Sequence, residues 1–410
     1  MNAKLDPSAH SWMNDAPVRA VMRALTADGG AARFVGGAVR NALLGEPVGD
    51  VDIATPLHPD EVVRRLEAAG LGAVPTGIEH GTVTAVSGGK PFEVTTLRRD
   101  VETFGRRAVV AYTTDWAEDA GRRDFTMNAL YAGEDGAIYD YFGGLADLAA
   151  RRVRFVGDAR TRIREDYLRI LRLFRFHAWY GKGEIDSDAL AAAEAEKAGL
   201  KLLSGERVQK ELLRLLEAHD PMPALNAMAH AEILPEIVPH TMIGVLANLV
   251  RIQRDHDFAP EPILRLAALM PHWEAARDAA RHLRLSKNDS VRLIAAHTRD
   301  QGVKPHFDDK YARQSIYNMG ASGFRDVVML RWARAGADAT EWRKWESLSH
   351  SWVRPDFPLS GRDAMALGLP EGPKVGALLD KIKKWWIAED FVPARDELLA
   401  RLKAEATNIS

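Results

Sequence analysis

Every clear strand pattern in this 410-residue chain falls before about residue 155, and the text beyond it is almost wholly helical. β-Branched residues alternate on both sides of Gly88-Gly89 in GTVTAVSGGKPFEVTTLRRD, which predicts a β-hairpin. ARFVGG reads as a short strand turning into the helix AVRNALLG, and DVDIAT as a second short strand. RDFTMNALYAGEDGAIYDYFGG reads as a helix start followed by a strand pair. Helices are expected over APVRAVMRALTADGG, with Asp15 as N-cap and Gly29-Gly30 as its stop, and over HPDEVVRRLEAAG, ending at Gly70. After them come ARTRIREDYLRILRLFRFHAWYG, SGERVQKELLRLLEA, PEPILRLAALM and DAARHLRL, all of helical character. The expected fold class is α+β, a small α/β head followed by a long α-helical body. The Pro- and Gly-punctuated WVRPDFPLSGRDAMALGLPEGPK marks a boundary before a C-terminal helical module.

Composition narrows the function. Hydrophobic residues make up 46% and charged residues 27%, as in soluble globular proteins. No uncharged apolar run is long enough to span a bilayer. The start, MNAKLDPSAHSWMNDAPVRA, carries acidic residues and no apolar core, unlike a secretory signal. There is no cysteine, which excludes disulfides, zinc-thiolate sites and thiol nucleophiles and fits a cytoplasmic location. Net charge is −2, so a polyanion site must come from local clustering.

Such clustering exists. Asp50 and Asp52 are i and i+2 in an expected strand, so both carboxylates project from one face. Side by side they repel unless a cation lies between them. They read either as a solvated strand end or as a clamp for one or two Mg2+ ions of the kind nucleotidyl transfer uses. Gly36 and Gly37 stand where a strand hands over to a helix. That is either a tight turn or a place where backbone N–H groups and a helix dipole meet phosphate, with Arg40 in reach of the same anion. P-loop and dinucleotide-fold signatures are absent from the sequence. GRRDFTMNAL then places Arg123 and Asp124 ahead of an expected apolar helix. Asp124 reads as its cap or as an acceptor for a ribose hydroxyl, with Arg123 on phosphate.

In RTRIREDYLRILRLFRFHAWYG, the residues Ile163, Tyr167, Ile170 and Phe174 form one apolar face. Asp166 and Arg169 lie off it as i,i+3 neighbours, where the plain reading is a surface ion pair. Nine arginines and three acids fall between residues 151 and 175, with no lysine. Guanidinium forks suit phosphate and base edges. A carboxylate that accepts beside a guanidinium that donates matches the Watson–Crick edges of cytosine and adenine, and clashes with those of guanine and uracil.

On these residues the chain resembles the bacterial class II tRNA nucleotidyltransferase/poly(A) polymerase family, the CCA-adding enzymes. GGAVRNALLG…DVDIAT resembles the family's catalytic motif, RRDFTMNAL its ribose-selecting motif, and EDYLRILRLFRF its amino-acid template for the incoming base. ERVQKELLRLL is similar to a later motif that braces the site, and FPLSGRDAMALGLPEGPKVGALL to the end module. The resemblance implies a nucleotidyltransferase head over residues 1–155, a helical neck with the template over 156–230, a body over 231–345 and an RNA-binding tail over 346–410. It implies that Asp50 and Asp52 are catalytic and bind two Mg2+ ions, and that Gly36, Gly37 and Arg40 hold the triphosphate. Arg123 and Asp124 would contact phosphate and ribose, Asp166 and Arg169 read the base, and Arg172 and Arg175 orient the template or bind phosphate. Glu165, Arg207 and Glu211 would support them. The expected partners are a tRNA 3′ end, CTP and ATP. TLRRDVETFGRRAVVAYT falls where the family carries a mobile loop needed for the switch to A. One departure is Asn41, where aspartate is common: it keeps the hydrogen-bonding shape and loses the charge.

Three other readings stand beside CCA addition. A poly(A) polymerase, or an enzyme adding only CC or only A, shares the head motifs. An RNA-binding protein without catalysis would need a broken D-x-D or template, and both are whole. A nucleotidyltransferase for a small molecule fits poorly with the long helical body. Lysines beside aromatics in KIKKWW, Lys381 to Trp386, suit RNA or the solvated face of an amphipathic helix equally.

Overall fold

The computed structural model describes residues 4–77, 81–104, 107–298, 308–336 and 339–407. Two compact units divide it, Met1–Pro239 and His240–Ser410. The first holds a seven-stranded sheet in the order β3-β4-β5-β2-β1-β8-β9. Its strands are β1 (Arg33–Val35), β2 (Asp52–Thr55), β3 (Gly72–Gly77), β4 (Thr82–Ser87), β5 (Lys90–Thr96), β8 (Leu130–Ala132) and β9 (Ile138–Asp140). A separate ribbon pairs β6 (Arg98–Phe104) with β7 (Arg107–Tyr112). That ribbon occupies the segment expected to be a loop, and residues 105 and 106 within it lie outside the described residues.

The Gly88-Gly89 hairpin forms as its sequence predicts. Ser87 pairs with Lys90, and both glycines take positive φ, 56° and 75°, as a two-residue primed turn requires. Along β4 the alternation buries Val83, Ala85 and Ser87. Six helices accompany the strands: α1 (Ser11–Asn14), α2 (Ala16–Thr26), α3 (Gly37–Leu44), α4 (Pro59–Ala68), α5 (Trp116–Gly121) and α6 (Gly144–Ala149). α2 and α4 pack on each other and on β4, and α3 lies against β1 and β8. Asp15 precedes α2 as expected but makes no side-chain cap; its carboxylate takes Lys90 Nζ at 2.6 Å.

Two helix expectations change. The apolar helix expected after Asp124 is a single 3-10 turn, Thr126–Asn128, that runs directly into β8. The long arginine-rich helix is broken into α7 (Ala159–Glu165) and α8 (Leu168–Tyr180). Asp166 sits between them in extended geometry, φ −154° and ψ 107°. Its Oδ1 accepts the N–H of Leu168 at 3.2 Å, so the aspartate ends one helix and starts the next. Asp166 and Arg169 are therefore not neighbours on one continuous helix. α9 (Ser187–Glu196), α10 (Gly205–Leu216), α11 (Met222–His230) and α12 (Leu234–Ile237) complete the unit, with α8 against α10 and α11.

Among its described residues the second unit is helical throughout. Glu261 lies between Arg292 and Arg325, which also hold Asp326 and Glu346. Near the C-terminus, Leu378, Ile382, Trp386, Leu398 and Leu402 form a core that Tyr317 joins. Within KIKKWW, Trp386 is thus core, and Arg401 stacks 4.1 Å over Trp385. No helix among the described residues is long and apolar enough to cross a membrane.

Candidate active site

The sheet delivers the double glycine to the mouth of a helix. Gly36 follows β1 with φ 70° and ψ −123°, a conformation that side chains disfavour, and α3 begins at Gly37. A Cβ on Gly36 would lie 3.7 Å from Arg123 Nη1, and one on Gly37 would lie 3.8 Å from Arg40 Nη2. The glycines thus form a floor beneath two guanidiniums, beside the unpaired first-turn N–H groups and positive dipole end of α3. Arg40 is 7% exposed. It donates to Asn41 Oδ1 at 2.8 and 3.1 Å, Asn128 Oδ1 at 2.5 Å and Tyr180 Oη at 2.8 Å. Asn41 is itself oriented by donating to Pro47 O at 2.9 Å.

Asp52 opens β2, facing Val35 across one side and Glu93 of β5 across the other. Asp50 sits in the bend before the strand, so only one of the two carboxylates is on a strand proper. Burial raises the Asp52 carboxyl above its usual range; Glu93 and Asp50 add to the rise, and Arg123 opposes it. Glu93 escaped sequence reading. Its alternation in FEVTT is visible there, but the parallel register that sets it beside Asp52 is not. Among the described residues no three His, Asp or Glu side chains are gathered as a ready-made metal cage.

Arg123 has its own anchor. Asp119, 1% exposed, accepts Arg123 Nη2 at 3.1 Å, Arg122 Nε at 2.8 Å and Tyr131 Oη at 2.6 Å. Burial favours its neutral form, but Arg123, Arg122 and Tyr131 bring its pKa below the ordinary value. Asp119 was also missed, because in sequence it is one acid in an unremarked helix.

Asp124 neither caps an α-helix nor stands open. Its Oδ1 accepts the N–H of Phe125 at 2.8 Å and Asn128 Nδ2 at 3.0 Å, while Oδ2 takes a double contact from Arg172, with Nε at 2.8 Å. Burial pushes this carboxyl up, but Arg172, Asn128 and the Phe125 amide carry it down to about 2. Asn128 then passes the chain of hydrogen bonds on to Arg40. Along α8, Arg172, Phe176 and Tyr180 recur every four residues, one stripe facing the head. Phe176 meets Phe125 at 5.1 Å between ring centroids, and Arg175 lies 4.5 Å from the Phe176 ring.

The expected base reader is assembled from other pairs. Asp166 Oδ2 accepts Arg207 Nη2 at 2.7 Å. Arg169 pairs with Glu165 and donates to Arg162 O at 2.9 Å and Arg122 O at 3.3 Å. Glu211 of α10 holds Arg175 Nε at 2.5 Å and approaches Arg172 Nη1 at 3.8 Å. The surface ion pair between Asp166 and Arg169 is replaced by two separate clamps, which leave Asp166 Oδ1 and Arg169 Nε clear of those ion pairs. Arg207 and Glu211 make these contacts from α10.

Residues 32–154 match the family described as Poly A polymerase head domain, and residues 184–243 match the probable RNA and SrmB-binding site of polymerase A. The chain is 35% identical to CCA tRNA nucleotidyltransferase 1, mitochondrial, of Mus musculus, covering 90% of this chain and 86% of that protein. It is 39% identical to the CCA-adding enzyme of Lacticaseibacillus paracasei, covering 90% and 91%. The chain belongs to the CCA-adding tRNA nucleotidyltransferase family. The crystal structure of the Bacillus stearothermophilus CCA-adding enzyme in complex with CTP superposes with a TM-score of 0.76 at 27% identity, over 96% of this chain and 98% of that one. The α+β architecture is thus that of CCA-adding enzymes.

Proposed function

We propose that this CCA-adding family member extends tRNA 3′ ends with C, C and A from CTP and ATP, with Asp166 and Arg169 standing in for a nucleic-acid template. The observation that supports it best is the excess of guanidinium in one contact chain. Arg122, Arg123, Arg169, Arg172, Arg175 and Arg207 meet Asp119, Asp124, Glu165, Asp166 and Glu211, and Arg40 joins them through Asn128. The surplus positive charge lies over two glycines and a helix N-terminus, which suits a triphosphate.

Asp50 and Asp52, with Glu93 beside them, are hard oxygen donors, and burial, with the charges of Glu93 and Asp50 adding to it, lifts the Asp52 carboxyl. Asp50 and Asp52 would hold Mg2+ in the two-metal reading. When bound, the divalent ions supply charge neutralisation at the α-phosphate and lower the pKa of the attacking hydroxyl. The chain's own residues do the rest. Gly36, Gly37, Arg40 and Arg123 hold the β- and γ-phosphates in line. Asp124 places the ribose. Asp166 and Arg169 accept a C or A edge, with Arg172 and Arg175 orienting them and Glu165, Arg207 and Glu211 in support. The primer 3′-oxygen bonds to the α-phosphorus as the bond to the β-phosphate oxygen breaks, the hydroxyl proton passes to solvent water and pyrophosphate leaves.

We assign residues 1–155 to the catalytic head, 156–230 to the neck, 231–345 to the body and 346–410 to an RNA-binding tail, in a cytoplasmic enzyme. The β6–β7 ribbon takes the place of the loop used in the switch to A. Incubation with tRNA lacking its 3′ end, CTP and ATP, read at nucleotide resolution, tests the whole reading. Two C additions followed by one A are expected. An unlimited A tail indicates a poly(A) polymerase instead, and arrest after CC a partial enzyme.

A further inference from the structure

Arg123, Arg169, Arg172, Arg175 and Arg207 each rest on a carboxylate. Arg40 differs. Among the described residues its hydrogen-bond acceptors are all neutral: Asn41, Asn128 and Tyr180. It is also buried, and burial lowers the pKa of its guanidinium. A guanidinium held this way is aimed without being neutralised, since neutral oxygens fix its fork while its charge stays available to a ligand.

Tyr180 contributes most to that aim from outside the head. Its hydroxyl accepts Arg40 Nη2 at 2.8 Å, and its ring lies 4.0 Å from the guanidinium carbon. The contact joins positions 140 residues apart. It also falls at the last residue of α8, two turns beyond Arg172. One edge of Arg40 is thus set by the same helix that carries the base-reading neighbourhood.

We propose that Tyr180 is a positioning residue for the triphosphate of the incoming nucleotide, acting through Arg40, whose other side-chain acceptors are Asn41 and Asn128. This rests on reading the head as a nucleoside triphosphate site. Phosphate grip and base template then share one helix, so a nucleotide seated against α8 finds Arg40 already turned toward its β- and γ-phosphates.

Y180F removes the hydroxyl and keeps the ring. Binding of CTP and of CMP to the full-length protein is measured by calorimetry, alongside steady-state CCA addition and the melting midpoint. CTP affinity is expected to fall about tenfold, the weight of one hydrogen bond to a charged group. ATP should lose the same factor and CMP none, with KM for nucleotide rising more than kcat falls and KM for tRNA unchanged. Inhibition by pyrophosphate should weaken in parallel. Equal losses for CTP and CMP, or a loss confined to kcat or to tRNA, overturn the proposal. A wild-type protein that binds neither CTP nor ATP refutes the nucleotide site itself. A wild type that prefers CTP to CMP, with Y180F unaltered in both, refutes only the role given to Tyr180.

Discussion

Asp124 and Arg172 stand 48 residues apart in sequence and meet in a two-pronged contact on one carboxylate oxygen. The pair fastens the strand-rich head to the first long helix behind it. Asp124 is nearly enclosed, so removing Arg172 leaves a buried charge without its partner. Arg172→Ala should cost about 3 kcal/mol in urea unfolding at pH 7. A loss under about 0.5 kcal/mol, the range of an exposed pair, contradicts this placement.

The same pair fixes a pH dependence. Asp124 falls from an ordinary 3.8 to about 2 in the folded protein. A depressed carboxyl stabilises the fold above its unfolded pKa, and that contribution is lost as pH falls through the folded value. Wild type should therefore lose about 2 kcal/mol relative to Asp124→Asn between pH 4 and pH 2. Parallel stability curves for the two proteins over that window rule the assignment out.

Asp52 has the opposite sign. Its carboxyl is raised, so its ionised form burdens the metal-free fold, and the burden grows as pH rises through the folded pKa. Asp52→Asn should abolish nucleotide incorporation yet raise the metal-free melting midpoint at pH 7. Added Mg2+ should stabilise wild type and leave the variant unmoved. A variant that melts lower than wild type without metal, or responds to Mg2+ equally, excludes the clamp.

The hairpin at Gly88-Gly89 and the strand-to-helix turn at Gly36-Gly37 were legible in the sequence because each is a local event, a turn that needs glycine between patterned flanks. The break at Asp166 was not. The apolar spacing of Ile163, Tyr167, Ile170 and Phe174 runs straight across it, and Ile163, Ile170 and Phe174 are fully buried on both sides. The proposed roles of Asp52, Arg123 and Asp166 come from order and chemistry in the sequence. Their orienting partners could not be found that way. Glu93 depends on a parallel strand register, Asp119 on an ion cluster, and Asn128 and Tyr180 on contacts that exist only once α8 has docked.

Base selection offers a prediction that separates reader from brace. Asp166→Ala should relax the preference for CTP and ATP over GTP and UTP while tRNA binding survives. Arg207→Ala should do the same more weakly, because Arg207 fixes Asp166 Oδ2. Arg169→Lys should also impair selection, since lysine lacks the planar fork. Competition among the four nucleotides in single-addition assays reads all three. Selectivity that is unchanged in Asp166→Ala removes Asp166 from the reading role.

The stripe of Arg172, Phe176 and Tyr180 has an evolutionary corollary. A helix that touches its neighbour at every fourth residue works as a toothed rack. One inserted or deleted residue between positions 172 and 180 turns the far tooth by ~100° about the axis and away from Arg40. Substitutions can accumulate on the outer side of α8, but its length between those teeth is frozen. Lineages of this enzyme should tolerate insertions in the connections before and after that helix, and none within it.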